Sequence, residues 1–405
     1  MYSFYQFGID CKKKVRYDGY SYENQTYTHF RKEAEPPRLY NIMTREDLQA
    51  IPPEEIFLPE QELHDIDSRG KQRDWQGKKM RNELLAAAYH DIDRKKESRL
   101  LECGKVLTYR LYEDGTKQLD SMSSCRVRLC PICTWRRSLK IYAQTKEIVD
   151  TIAERYGYRW VMLTLTIKSV DAAHLSSCLD QLLQGWNRLM QLKAVKAVCK
   201  GWYRSLEIVH DCNPFITQAM WDGDKERHIK SRKAWYKAHG YKVGDVNPNY
   251  DLYHPHFHAL ICVAPSYFQG AYYIKQAAWG ELWQDALRVD YVPRVDIRSV
   301  KGATMEEISS AVCEVAKYAA KDSDYIVPDD WDLTVETVKT LDEALNGRRL
   351  VAYGGIMRLI KRELGQDDGE DGDLVHVGDE EAKEGKYRLV SYWWYSGYRQ
   401  YYEIR

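Results

Sequence analysis

Long apolar runs are missing from this chain of 405 residues, and so is any excess of charge of one sign. No run of about 18 apolar residues, the length of a membrane helix, occurs, and the opening residues lack the apolar core of a signal peptide. We therefore expect a cytoplasmic protein without a membrane partner. Lys and Arg number 60 and Asp and Glu also number 60, so any surface for a polyanion has to be built locally.

Phenylalanine is scarce, with 7 residues against 31 Tyr and 12 Trp. Aromatic rings with a polar edge suit half-buried surfaces, and they can also stack on bases. The 10 cysteines are expected to be reduced in the cytoplasm, so closely spaced ones are interpreted as metal ligands or core residues before disulfides. The length allows two to three domains with sizeable cores.

The order of apolar patterns predicts an α+β fold, in which helices flank a sheet. Alternation predicts strands over 158–167, 202–210, 256–264 and 295–300. Helical spacing predicts helices near 73–95, 175–190, 270–287, after 304 and over 333–363. We divide the chain into an N-terminal region of unknown role (1–98), a cysteine-rich module (99–146), a catalytic domain (150–326, insertion 212–250), a helical extension (327–365), a solvated acidic linker (366–386) and an aromatic C-terminal segment (387–405).

Three histidines in the segment YHPHFHALICV are spaced two apart, so they share one face of a strand. His256 and His258 on that face can reach one divalent ion together, while an exposed strand without metal is the simpler alternative. Glu207 on the preceding strand is the predicted third ligand, with His254 and Asp211 as substitutes. Two imidazoles and a carboxylate suit Mg²⁺ or Mn²⁺ acting on phosphate, although zinc would also be accepted.

The segment MEEISSAVCEVAKYAAKDSDY has a second stripe beside its apolar one, if the helix stays regular. That stripe holds Glu314, Tyr318, Lys321 and Tyr325. A tyrosinate can attack a phosphoryl group that a metal polarises, a lysine can neutralise the phosphate, and a glutamate can deprotonate water. An ordinary amphipathic helix is the alternative.

Four cysteines around a basic run form the pattern of a tetrahedral zinc site, and buried reduced thiols are the alternative. They are Cys103, Cys125, Cys130 and Cys133. Basic residues near them, and basic and aromatic residues of the insertion, are candidates for DNA contact, with a solvated charged face as the alternative. These candidates are Arg126, Arg128, Arg136, Arg137, Lys230, Arg232, Lys233, Trp235 and Tyr236.

The segments VMLTLTI, HPHFHALI and EVAKYAAK, in this order, resemble the three motifs of the HUH endonuclease superfamily. More narrowly, they resemble the rolling-circle replication initiators of small bacterial plasmids, in the class with one nucleophilic tyrosine and a glutamate four residues before it. CRVRLCPICTWRR resembles the cysteine-rich stretch that precedes the catalytic domain in these initiators. The resemblance runs from about Cys103 to Tyr325.

This resemblance implies a catalytic domain with a central antiparallel sheet of the ferredoxin-like or RRM-like kind and a small zinc-binding module. It implies that Tyr318 attacks a phosphodiester at a plasmid origin, with Mg²⁺ or Mn²⁺ at His256 and His258, and that Glu314 activates a water for the terminating cleavage. Tyr325 is a less favoured second nucleophile. Implied partners are origin DNA and a host helicase and polymerase in the bacterial cytoplasm.

Three alternatives to a replication initiator stay open at this point. A conjugative relaxase or a single-strand transposase would use the same chemistry on other DNA. A zinc-containing DNA-binding regulator would need only the basic module. A metal-dependent hydrolase of small phosphoesters would form no covalent intermediate.

Overall fold

Nine strands and eleven helices are seen in the computed structural model, which describes residues 61–67, 70–224, 229, 231–270, 272–300, 305–316, 320–327, 329–377 and 384–404. The strands are β1 (Val106–Tyr112), β2 (Lys117–Met122), β3 (Arg159–Thr166), β4 (Cys199–His210), β5 (Tyr253–Val263), β6 (Val295–Ser299), β7 (Val351–Gly355), β8 (Tyr387–Tyr395) and β9 (Gln400–Ile404). The helices are α1 (Trp75–Tyr89), α2 (Arg94–Glu102), α3 (Pro131–Tyr156), α4 (Ala172–Leu189), α5 (Lys193–Val198), α6 (Gln218–Asp222), α7 (Lys233–Ala238), α8 (Gln276–Leu287), α9 (Met305–Val315), α10 (Trp331–Leu345) and α11 (Ile356–Glu363).

The histidine strand β5 lies at the centre of a five-stranded sheet with the order β6-β3-β5-β4-β7. Every neighbouring pair in this sheet is antiparallel. All four strands predicted from alternation are present in it, and the predicted α+β class with an antiparallel sheet is confirmed.

The two faces of β5 are covered by different helices. Phe257, Ala259 and Ile261 belong to the core on the face where α4 packs. Leu260 and Cys262 continue the histidine face and belong to a second core, which α3, α9 and α11 close. His256 and His258 therefore lie on the part of that face that precedes its apolar half.

Local sequence accounts for the ends of the helices beside the sheet. The Asp171 carboxylate accepts the His174 N–H at 3.1 Å and caps the start of α4. The long helix α3 begins with Pro131 at its first position and ends at Gly157, whose φ of 61° is left-handed and suits glycine. These signals fix where α4 and α3 begin or end, and the two helices contribute to the cores on opposite faces of the sheet.

The helical pattern predicted over 333–363 is wrong in its middle, because β7 separates α10 from α11 and adds an edge strand beside β4. Gly355 connects β7 to α11 with a φ of 56°, and a Cβ there would lie 2.4 Å from the Lys200 carbonyl oxygen. This close approach requires glycine at position 355. The strand was missed because the apolar residues around it continue a helical spacing. The helix predicted near 73–95 is present as α1, and α2, which begins at Arg94, was not predicted.

A second, four-stranded antiparallel sheet has the order β2-β1-β8-β9. The aromatic C-terminal segment therefore pairs with the strands that follow Cys103, and the domain boundaries drawn from the sequence stay a prediction. Within the described residues, no helix combines the length and apolar character that crossing a bilayer requires.

Candidate active site

Strand register brings the predicted metal ligands together. Across β4 and β5, Glu207 lies opposite His256, and Ser205 lies opposite His258. On the other side of β5, Thr164 of β3 lies opposite His258. Residues two apart on a strand share a face, so all of these side chains lie on one face of the sheet. Glu207 and His256 form one row across the strands, and Ser205, His258 and Thr164 form the next.

Glu207, His256 and His258 form a buried group of three possible ligands. The Glu207 Oε2 atom is 2.9 Å from His258 Nε2 and 3.4 Å from His256 Nε2. The two Nε2 atoms are 3.2 Å apart. Donor atoms about 2.1 Å from one ion are separated by about 3.0 to 3.4 Å in octahedral or tetrahedral coordination, so the donor set fits a divalent metal.

The tautomer of His256 also suits a metal ligand. Its Nδ1 atom lies 3.2 Å from the His254 carbonyl oxygen, which can only accept, so Nδ1 carries the hydrogen in the neutral ring. The Nε2 lone pair then points at Glu207 and His258. Thr164 Oγ1 contacts His258 Nδ1 at 3.2 Å, and this hydroxyl can either donate or accept. Such outer hydrogen bonds are what orients metal-binding histidines.

Glu207 supplies the negative charge of the group. Burial pushes the pKa of Glu207 upward, but the imidazoles of His256 and His258, which lie against its carboxylate, outweigh burial and hold the pKa well below its usual value. The ammonium of Lys321 lies 3.5 Å from Glu207 Oε1. An ionised carboxylate facing two imidazole nitrogens is a site for a cation.

The two substitute ligands do not join the group. His254 contacts Ser169 Oγ at 3.2 Å, and burial, with help from the charges of His256 and Arg232, lowers its pKa to about 4. Asp211 accepts the Arg232 guanidinium at 2.7 Å and the Asn247 amide at 2.9 Å. Glu207 is therefore the carboxylate that the fold selects.

Replacing Glu207 by Gln is expected to weaken Mn²⁺ binding by about 100-fold or more, because the change removes the negative ligand and keeps the side-chain shape. Isothermal titration of the whole protein with Mn²⁺ measures this. Asp211→Asn is the matched control, a carboxylate near the end of the same strand that pairs with Arg232. Equal losses in the two variants would contradict the assignment of Glu207.

The predicted stripe of four polar residues does not continue along one helix. α9 ends at Val315, and a short 3₁₀ turn spans Asp322–Asp324. Tyr318 and the Glu314 side chain lie outside the described residues. Lys321 directly precedes the 3₁₀ turn, and its ammonium contacts Glu207 from there. Its position beside the metal group therefore does not depend on a helix that continues from α9.

Tyr325 does not face the metal group. Its side chain is buried, and its hydroxyl donates to the Leu129 carbonyl oxygen at 2.6 Å. Burial raises its pKa well above the usual value, which opposes formation of a tyrosinate. We therefore assign Tyr325 to the packing between the 3₁₀ turn and the cysteine-rich module, with no part as a nucleophile.

Sequence reasoning missed two side chains beside the group. Ser205 Oγ donates to the carbonyl oxygen of Val315, the last residue of α9. The carboxyl of Asp324 accepts the Lys321 backbone N–H at 3.1 Å, and burial raises its pKa to about 7. The signal for Ser205 was available, because it shares the strand face of Glu207. Nothing local marks Asp324, because its burial comes from distant elements.

Ser205→Ala is expected to lower stability by about 1–3 kcal/mol, because a buried carbonyl at the end of α9 loses its donor. Denaturant unfolding of the two proteins measures the difference. Mn²⁺ affinity is expected to stay unchanged, because Ser205 is not a ligand. A loss of Mn²⁺ binding in this variant would show that Ser205 acts on the metal group itself.

The four predicted cysteines converge at a second buried group. Cys103 Sγ lies 3.6 Å from the Sγ atoms of Cys130 and Cys133, and Cys125 Sγ lies 3.7 Å from that of Cys133. Sulfurs bound at about 2.3 Å in a tetrahedron are about 3.8 Å apart, whereas a disulfide needs about 2.05 Å. The donor set therefore fits one tetrahedral metal ion and excludes disulfides among these residues.

Backbone and side chains around the cysteines support thiolates. The N–H groups of Cys125 and Arg126 donate to Cys103 Sγ and Cys133 Sγ, both at 3.4 Å. From α1, the buried ammonium of Lys79 donates to the Cys103 carbonyl oxygen at 2.8 Å. Part of the region without assigned chemistry therefore packs against the cysteine group.

The arginines predicted to bind DNA near the cysteines contact the chain's own acidic segment. Arg136 is fully buried and donates to the Leu374 carbonyl oxygen at 2.9 Å, and Arg137 donates to that of Glu370 at 3.0 Å. Arg128 pairs with the Glu370 carboxylate, and Arg126 with the Asp371 carbonyl oxygen. Residues 366–377 are consequently not a solvated linker, and these four arginines are left out of the DNA surface proposed below.

The predicted DNA contacts of the insertion separate into two groups. Tyr236 is fully buried, Arg232 pairs with Asp211, and Lys233 pairs with Asp222 at 2.7 Å. Trp235 is 42% exposed. Lys230 lies outside the described residues. Of the described candidates, the Trp235 ring is the one that is open to a base.

The family model and the related proteins that match this chain are all replication proteins. The replication protein family Rep_1 matches residues 116–402. Protein rep of Bacillus amyloliquefaciens is 37% identical over 359 residues, 82% of this chain and 94% of that protein. Protein rep of Streptococcus pneumoniae serotype 2 is 33% identical over 340 residues, with 82% and 92% covered. No solved structure matches. The chain belongs to the replication protein (Rep) family of plasmids.

Proposed function

We propose that this protein initiates rolling-circle replication of a plasmid by nicking one strand of its origin. The observation that carries the proposal is the convergence of Glu207, His256 and His258 beside the end of α9, in a chain of the replication protein family. Tyr318, three residues after α9 ends, is the proposed nucleophile. The proposed cofactors are Mg²⁺ or Mn²⁺ at this group and Zn²⁺ at the four cysteines.

In the proposed reaction, the Tyr318 hydroxyl loses its proton to solvent and its oxygen attacks the scissile phosphorus. The bond from phosphorus to the 3′ oxygen breaks, and that oxygen takes up a proton. The products are a 5′-phosphotyrosine and a 3′-hydroxyl that a polymerase can extend. Glu207, His256 and His258 would hold the divalent metal, whose positive charge would stabilise the phosphoryl group under attack. Lys321 adds a second positive charge beside Glu207.

Termination is proposed to use hydrolysis rather than a second tyrosine. Glu314 lies four residues before Tyr318 and would take a proton from water as that water attacks a phosphodiester and the bond to its 3′ oxygen breaks. The 3′-hydroxyl so released would attack the 5′-phosphotyrosine, which frees Tyr318 and rejoins the strand. The burial of Tyr325 supports this single-tyrosine scheme, because it removes the nearest alternative nucleophile from the site. Host helicase and polymerase are the proposed partners after the nick.

The test is to incubate the full-length protein with its own supercoiled plasmid and Mn²⁺, and to search denaturing gels for protein attached to DNA. After nuclease and protease digestion, mass spectrometry is expected to find the nucleotide remnant on the peptide that contains Tyr318. A remnant on another residue would overturn the nucleophile assignment. Specific binding without nicking or an adduct in any divalent metal would favour the non-catalytic regulator.

A further inference from the structure

The insertion between β4 and β5 has a small core and several large apolar side chains that remain exposed. The core of this segment consists of Ile216, Met220 and Tyr236. Large apolar or aromatic side chains that remain exposed in it are Phe215, Trp235, Val243, Val246 and Tyr250. Exposed apolar side chains concentrated in one segment are typical of a binding surface.

Trp235 forms the centre of an aromatic group on that surface. Its ring lies 4.2 Å from the ring of His239 and 6.0 Å from that of Tyr241, at interplanar angles of 26° and 12°. The exposed lysines Lys237 and Lys242 follow closely in the chain. Parallel rings beside positive charges are the combination that binds unpaired bases and the phosphates between them. A duplex hides the faces of its bases, so the ligand class is single-stranded nucleic acid.

The stem of the insertion is anchored beside the metal group. Arg232, directly before α7, binds Asp211, which follows Glu207 by four positions. The Asp251 N–H closes the base of the insertion on the Asp211 carbonyl oxygen at 2.8 Å.

We propose that the insertion is a single-strand-binding arm, in which Trp235 stacks on an unpaired base of the DNA strand that leads into the metal group. The arm deepens the proposed function and rests on it in one respect, because the strand in the arm is the strand that is cut. Binding by the arm itself needs no cleavage and is measured separately.

The test compares binding of fluorescent 20-mer oligothymidylate to the full-length protein, its Trp235→Ala variant and its Trp235→Phe variant over a range of NaCl concentrations. We expect Trp235→Ala to weaken binding by roughly 10- to 100-fold, and Trp235→Phe to recover most of the loss. The slope of log affinity against log salt is expected to stay unchanged, because no phosphate contact is removed. Tyr272→Ala, which removes an exposed ring outside the insertion, is the control and is expected to bind as the wild type does.

A 20-mer with an abasic backbone is the second probe in this test. The proposal requires that the wild type bind this probe more weakly than oligothymidylate, and that Trp235→Ala cause no further loss on it. Equal binding of oligothymidylate by wild type and Trp235→Ala would overturn the proposal and leave the apolar surface to a protein partner. If Trp235→Ala weakens oligothymidylate binding as expected but the wild type never forms a covalent adduct with its plasmid, the single-strand-binding arm is supported and the nicking function is rejected.

Discussion

Replacement of Tyr318 by Phe is expected to abolish the covalent protein–DNA adduct and to slow nicking by about 10⁴-fold or more. The substitution removes one oxygen atom, and that atom is the proposed nucleophile. Binding of Mn²⁺ is expected to stay unchanged, because the three proposed ligands are on β4 and β5. The measurement is single-turnover nicking of the supercoiled plasmid, with the adduct quantified on denaturing gels.

Tyr325→Phe is the matched comparison, because it removes the same atom from a neighbouring tyrosine. Its hydroxyl donates to the buried Leu129 carbonyl oxygen, so we expect a loss of about 1–3 kcal/mol in the free energy of unfolding. The adduct is expected to form at the wild-type rate at a temperature where both proteins are folded. Nicking that survives Tyr318→Phe and disappears in Tyr325→Phe would move the nucleophile to Tyr325.

Replacement of Cys130 by Ser is expected to destabilise the protein by more than about 4 kcal/mol and to release one equivalent of zinc. Metal bound by four thiolates contributes directly to the folding free energy, and a hydroxyl is a poor substitute for a thiolate on zinc. Cys130 also caps the start of α3, where its Sγ accepts the Cys133 N–H at 3.4 Å. Bound zinc measured by atomic emission and thermal unfolding of the same samples check this prediction.

Cys178→Ala separates loss of the metal from loss of a buried thiol. Cys178 is 5% exposed on α4 and lies outside the four-cysteine group. We expect this variant to keep its zinc and to lose no more than about 1.5 kcal/mol of stability. A wild-type protein with no zinc, or a Cys130→Ser variant as stable as Cys178→Ala, would favour buried thiols over a metal site.

The prediction of strands succeeded where the signal is local. Alternation over β3, β4 and β5 needs only the neighbouring residues, because side chains two apart on a strand share a face. It failed over 333–363, where Gly355 ends a short strand inside a helical pattern and the partner strand β4 is far away in the chain. Helical spacing from Glu314 to Tyr325 failed in the same way, because it assumed a helix longer than α9.

The sequence by itself indicated the pair His256 and His258, the group of four cysteines and the order of segments that resembles the replication initiators. Each of these follows from spacing along the chain. Only the tertiary structure decided between Glu207 and Asp211, since strand register places one carboxylate against the histidines and Arg232 binds the other. It also directed Arg136 to the acidic segment and left Trp235 exposed. The partners of a charged or aromatic side chain are set by packing between distant elements, which local spacing does not contain.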